Sequence, residues 1–153
     1  MKKSGFTLIE IIVVTLIIGL LATLGTLAIM KGVRNSRIKN TEAELDMLSA
    51  AVLQLAWDTG KWPNGQPRNN GGSVEKWDLS PDSCGLLGND GNYDHWKGSY
   101  YEGALVDQWG NRYFFDPDYR INGADRVVVG SFGPNGVGPN LYDGDDIYVL
   151  LDD

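Results

Sequence analysis

The chain has 153 residues, with 13 Lys and Arg against 20 Asp and Glu and a formal charge of −7, which sets a prior of one compact domain plus an appendage. The acidic excess argues against a direct nucleic-acid partner, because phosphate recognition needs a clustered basic face. One cysteine, Cys84, and one histidine, His95, exclude an intrachain disulfide scaffold and a Cys/His zinc set. Charge is spread unevenly: residues 6–30 hold a single charged side chain, Glu10, whereas residues 31–153 hold 11 basic and 19 acidic ones. The run from Phe6 to Met30, FTLIEIIVVTLIIGLLATLGTLAIM, has 25 residues. At ~1.5 Å per residue, such a helix spans a hydrocarbon core ~30 Å thick. Lys2 and Lys3 precede it and the acidic region follows, which predicts a cytoplasmic N-terminus and an outer acidic domain. A removable signal peptide is the competing reading. It fits poorly, since the run is long, no A-x-A-like site closes it, and the small-residue junction Ser4-Gly5 lies at its front. No cysteine follows the run to carry a lipid. Glu10 is costly within an apolar helix, and such carboxylates either mark function or snorkel to the headgroups; the local sequence leaves both open.

Lys2-Lys3-Ser4-Gly5-Phe6-Thr7-Leu8-Ile9-Glu10 and the apolar run to Ala22 resemble the N-terminus of type IV pilins and of the pseudopilins of type II secretion. The pattern combines a short basic leader, Gly-Phe, a glutamate four residues after the phenylalanine and an unbroken apolar helix. The resemblance implies cleavage between Gly5 and Phe6 by a prepilin peptidase and N-methylation of the new Phe6 terminus. It also gives Glu10 a partner: in a bundle of such helices its carboxylate neutralises the Phe6 amine of a neighbouring subunit, so that two groups costly alone satisfy each other. The family usually carries a proline late in this helix, near Leu27. Here Gly19 and Gly25 are the weak points instead, each less helix-favouring than Ala by about 1 kcal/mol in water.

Beyond Met30 the helix pattern continues but becomes amphipathic, with Leu45, Leu48, Val52 and Leu55 on one face. Gly60 and Pro63 stop it after Thr59. If continuous, a helix from Phe6 to Thr59 is ~80 Å long; a break near Gly32 is the alternative. Residues 60–106 form a Gly, Asn, Asp and Trp rich stretch with little periodicity, too long for an ordinary connection. Trp62, Trp77 and Trp96 are read as packing anchors, with sugar stacking as the functional alternative. Strands are expected at Arg112–Asp116, Arg126–Gly130 and Ile147–Leu151, rich in β-branched and aromatic residues between turn formers. The fold class is therefore α+β, a long N-terminal α-helix, membrane-spanning then amphipathic, packed on a small antiparallel β-sheet. The segments read as a leader at 1–5, an assembly helix at 6–30, its amphipathic continuation at 31–59, the insertion at 60–106 and the sheet at 107–153.

The C-terminal part carries a second resemblance. Asp107-Gln-Trp-Gly-Asn-Arg-Tyr113 is similar to the D-P-W-G-N-x-Y motif of the major, G-type pseudopilins, with Gln108 where proline is usual. It reads as a turn at Gly110-Asn111 feeding a strand, with Trp109 covering the core. Ser131-Phe-Gly-Pro-Asn135 and the later Asp143-Gly-Asp145-Asp146-Ile147 resemble the calcium loop of that family. The resemblance implies calcium held by the Phe132 carbonyl, the Asn135 side chain, the Asp143 carbonyl and the carboxylates of Asp145 and Asp146. Calcium takes six to eight oxygens, and Asn135 in place of aspartate removes one charge. Calcium would then raise the melting temperature. A weaker EF-hand-like start, Asp90-Gly-Asn92-Tyr-Asp94, has His95 where glycine is needed and Glu102 one residue past the closing position. Cys84 lacks an evident basic neighbour to activate it.

With one His and one Cys no nucleophile, base and orienting acid assemble, so an enzyme is not expected. The resemblance implies a subunit processed by prepilin peptidase that polymerises into a type II secretion pseudopilus. Its partners would be copies of itself, minor pseudopilins and an inner-membrane assembly platform. A type IV pilus major or minor pilin with an adhesive role is the alternative.

Overall fold

The structure, a computed structural model, describes residues 5–68, 78–138 and 144–151, apart from the side chains at 24, 25 and 27. A single helix, α1, runs unbroken from Leu8 to Thr59 over 52 residues, so the chain does not break at Gly32. Two compact units emerge, one ending at Ser36 and the other beginning at Arg37. In the first, every described side chain is exposed, Phe6, Leu8 and Leu16 among them. Its apolar run is long enough to cross a membrane. A helix satisfies its own backbone, so lipid or other helices can cover such a surface without any further polar partner.

In the second unit the helix turns one face inward. Thr41, Leu45, Leu48, Val52 and Leu55 are fully buried, each apolar one contributing about 1.5–3 kcal/mol relative to exposure. The helix ends where the sequence predicts. Gly60 adopts φ +71°, the left-handed conformation that glycine enters without steric cost, and its N–H donates to the Ala56 carbonyl at 3.0 Å.

Three antiparallel strands follow, β1 (Phe114–Ile121), β2 (Ala124–Ser131) and β3 (Ile147–Leu150), in the order β1-β2-β3. All three expected strands are present, but β1 and β2 are longer. Asn122 and Gly123 join them with φ +52° and +84°, the signature of a two-residue hairpin turn whose twist matches the strands. β1 passes through Pro117 because the register shifts between Asp116 and Tyr119, and Asp118 N–H bonds Asp116 Oδ1 at 2.9 Å. This irregularity absorbs the missing proline donor.

Both sheet faces are covered. On one, Phe115, Val129 and Leu151 join the helix residues and Tyr113 in the main core. On the other, Phe114, Tyr119, Val128 and Phe132 form a smaller cluster, in which Phe114 stacks on Phe132 with centroids 4.4 Å apart. Gly130 pairs with Phe114 across the strands. A Cβ at Gly130 would lie 2.5 Å from Phe114 Cζ, so glycine there gives the ring its place.

The stretch that looked least structured supplies much of the main core: Leu79, Cys84, Leu86, Tyr93, Tyr101 and Leu105 are all buried. The Tyr93 hydroxyl donates to the Cys84 carbonyl at 2.8 Å and accepts from Gly65 N–H at 2.9 Å. Leu79 N–H bonds the Tyr113 carbonyl at 2.8 Å, joining this segment to the chain just before β1. Trp62 tilts against Phe115 with ring centroids 5.4 Å apart, and Trp96 Nε1 donates to the Gly85 carbonyl at 2.8 Å. Both act in packing; Trp77 lies outside the described residues. Lys97 Nζ meets Asp58 Oδ1 at 2.6 Å and ties the segment to the helix.

Candidate functional site

Two regions carry the residues singled out by the sequence. At the first, Gly5, Phe6 and Thr7 precede the helix in non-helical backbone, and Phe6 is 83% exposed. Thr7 N–H and Thr7 Oγ1 both donate to Glu10 Oε2, at 3.0 and 2.9 Å. Glu10 N–H in turn donates to Thr7 Oγ1 at 3.4 Å. This is a reciprocal capping box, which satisfies donors that a helix start otherwise leaves open. The T-x-x-E spacing of Thr7-Leu8-Ile9-Glu10 is its signal in the sequence, and it gives Glu10 a partner within its own chain. The box fixes Glu10 in the first turn, four residues beyond the chemistry expected at Phe6.

At the second region Asp107, 5% exposed, is a hub. Its Oδ1 accepts from Trp109 N–H at 2.9 Å and Asn111 N–H at 2.8 Å. Its Oδ2 accepts from the Ser131 hydroxyl at 2.6 Å and Asn111 Nδ2 at 3.4 Å. Ser131 Oγ accepts from Gly133 N–H, and Asn111 Nδ2 donates to the Gly133 carbonyl, both at 3.0 Å. The two C-terminal motifs are therefore joined into one hydrogen-bonded unit. Gly110 makes the bend, with φ +90°. Trp109 does not cover the core as expected: it is half-buried and lies outside both described clusters, while its backbone N–H is held in the Asp107 turn. Gln108, the departure from proline, donates from Nε2 to Glu44 Oε1 at 2.8 Å, and the Tyr113 hydroxyl bonds Glu44 Oε2. Burial, followed by the Glu44 carboxylate, pushes the Tyr113 hydroxyl well above its ordinary range.

Of the five residues expected around calcium, Asp143 lies outside the described residues. Phe132 places its ring in the outer aromatic cluster and precedes the short turn Gly133–Asn135. Asn135 N–H donates to Asp145 Oδ2 at 3.1 Å, and Asn135 Nδ2 to Asp145 Oδ1 at 2.6 Å. Asn135 Oδ1 accepts from Val137 N–H at 2.6 Å. Asp146 turns elsewhere, accepting from the Tyr119 hydroxyl at 2.7 Å through Oδ2. The structure thus brings Asn135 and Asp145 together and draws Asp146 to β1. Among the described residues, no three His, Cys, Asp or Glu side chains converge as a metal site would require.

The EF-hand-like start closes on itself: Asp90 Oδ1 accepts from Asn92 N–H at 3.0 Å, and Oδ2 from Asn92 Nδ2 at 2.7 Å. His95 adopts φ +61° at the turn that follows. Cys84 is fully buried, and desolvation pushes its thiol above its ordinary range. An iodoacetamide-type reagent at neutral pH is expected to label Cys84 at least ~100-fold faster in denaturant than in the folded chain. Equal rates, followed by intact mass, would contradict its burial.

Residues 1–26 match the prokaryotic N-terminal methylation motif. Over 142 residues the chain is 28% identical to the type II secretion system core protein G of Pseudomonas aeruginosa, covering 93% of each chain. No solved structure matches significantly.

Proposed function

We propose that this chain, a type IV pilin-like protein of the major pseudopilin type, is a structural subunit that polymerises into the pseudopilus of a type II secretion system. The observation that carries this reading is the exposed apolar helix capped by Thr7 and Glu10 immediately after the Gly5-Phe6 junction. Prepilin peptidase cleaves between Gly5 and Phe6, and the Phe6 amine is methylated. The helix stays in the inner membrane until it leaves for the filament, where copies of the same helix replace lipid as its apolar surroundings.

Orientation follows from processing rather than from counting charges. Lys31, Arg34, Arg37 and Lys39 follow the span and outnumber Lys2 and Lys3 before it, so the positive-inside rule alone does not decide the matter. A junction cut on the cytoplasmic side puts the N-terminus inside and the domain from residue 37 outside. Cleavage also removes Lys2 and Lys3, leaving 11 basic and 20 acidic side chains. The new Phe6 amine is then the only basic group in the apolar segment, and Glu10 of a neighbouring copy is its counter-charge. Minor pseudopilins and the assembly platform in the inner membrane are the further partners of this reading. The similarity along 93% of the chain to a secretion protein favours it over a surface pilus subunit.

Glu10→Leu tests the assignment. The substituted chain should still insert in the membrane and be cleaved, yet enter filaments at least ~10-fold less well, since a buried amine left without its carboxylate is strongly unfavourable. Incorporation at the normal level, measured by cross-linking and immunoblotting of sheared filaments, would sink the pairing of Glu10 with Phe6.

A further inference from the structure

We propose that the C-terminal loop of this chain is closed by a clasp between the Asn135 amide and the Asp145 carboxylate, which takes the place of a bound cation. The orientation of the Asn135 side chain decides the matter. Its oxygen, the atom a cation would need, accepts from Val137 N–H at 2.6 Å, while its NH2 group faces Asp145 Oδ1 at 2.6 Å. Turning the amide over would set NH2 against the Val137 N–H and oxygen against carboxylate, losing both bonds and creating two repulsive contacts. The side chain is thereby fixed with donors toward the acid.

Asp145 receives a second donor, the Asn135 backbone N–H on Oδ2 at 3.1 Å. One residue therefore grips both carboxylate oxygens in a fork, and hydrogen bonds to an ionised acceptor are roughly twice as strong as neutral ones. The two acids that a shared cation would draw together point to different partners, since Asp146 Oδ2 accepts from the Tyr119 hydroxyl at 2.7 Å. Calcium needs six to eight converging oxygens, and the donor set between residues 135 and 145 presents N–H groups at its centre. As oriented, the Asn135–Asp145 pair offers the ion that the sequence suggested N–H donors where it needs oxygens.

Backbone contact completes the clasp. Gly133, at φ +62°, lies so close to Asp145 that a Cβ there would be 2.2 Å from the Asp145 carbonyl oxygen. The clasp belongs to the folded domain whether or not the chain polymerises, so its test is independent of filament assembly.

The experiment compares melting of the full-length chain in detergent with a chelator and with millimolar calcium. A structural calcium site saturated 100-fold above its Kd would raise Tm by roughly 10 °C. The expected shift for the unaltered chain is under ~1 °C. Asn135→Ala should lower Tm by about 5 °C in either condition. Asn135→Asp sets two carboxylates face to face; it should melt lower in chelator and recover with calcium. A calcium-induced rise of about 5 °C or more in the unaltered chain would overturn the proposal. So would Asn135→Ala melting like the unaltered chain, or Asn135→Asp losing nothing in chelator. The comparison on the unaltered chain stands even if a variant fails to fold.

Discussion

Replacing Asp107 with Ala is expected to destabilise the folded domain by about 4 kcal/mol, a large share of the ~5–15 kcal/mol that a domain usually has. The expectation comes from counting what the carboxylate serves. Two backbone donors, Trp109 N–H and Asn111 N–H, and the Ser131 hydroxyl all point at it from 2.6 to 2.9 Å in a site that is 5% exposed. Without it each buried donor is left with a desolvation cost of about 1–3 kcal/mol. Water entering the vacated volume recovers part of this, which is why the total is less than the sum. Asp107→Asn should cost about half as much, because one amide oxygen still serves the turn while its NH2 opposes the Ser131 hydroxyl and Asn111 Nδ2. Thermal unfolding of the full-length chain in detergent should register the Ala variant as a fall of roughly 20 °C. A fall of only a few degrees would mean that the motif is a local turn and not the joint between the two C-terminal segments.

Gly133→Ala is the second large effect, at about 3 kcal/mol or more. Two costs coincide at this position. A φ of +62° disfavours any side chain, and the added Cβ meets the Asp145 carbonyl oxygen, which belongs to backbone and cannot rotate away. Gly110→Ala provides the comparison. It also has positive φ, +90°, but nothing lies within 4 Å of its Cβ position, so conformational strain of about 1–2 kcal/mol stands alone. Equal losses at the two positions in chemical denaturation would show that the approach of Asp145 to Gly133 contributes nothing.

The parts of this molecule legible in its sequence are those whose signals are local. Apolar composition marks the span, the spacing of Leu45, Leu48, Val52 and Leu55 marks the buried face, and Gly60 marks the helix end. The strand centres were visible in their β-branched and aromatic runs. Their extension was not, because Pro117 reads as a stop, whereas the register shift after Asp116 and the Asn122-Gly123 turn let both strands run on. The T-x-x-E spacing of Thr7 and Glu10 is a local signal of the capping box. Residues 78–106 were opaque for a different reason: Leu79, Leu86, Tyr93 and Tyr101 enter the core from irregular backbone, which carries no periodicity. At the C-terminal loop, residue identities suggested oxygen donors, but which end of the Asn135 amide faces Asp145 depends on where Val137 N–H lies. Composition cannot encode that.

One consequence of the sheet order bears on life in a crowd. A subunit that spends its working state beside many copies of itself is exposed to strand-to-strand pairing, the commonest route to aggregation for an open sheet. Its β1 edge begins under residues 78 and 79, which bridge to Phe114 and bond Tyr113. Its other edge, β3, has only four residues, with Tyr148 38% and Leu150 50% exposed. So short an edge offers too few unpaired backbone groups to recruit a second sheet. In the filament proposed above, contact between copies would then rest less on the β3 edge than on the exposed apolar helix.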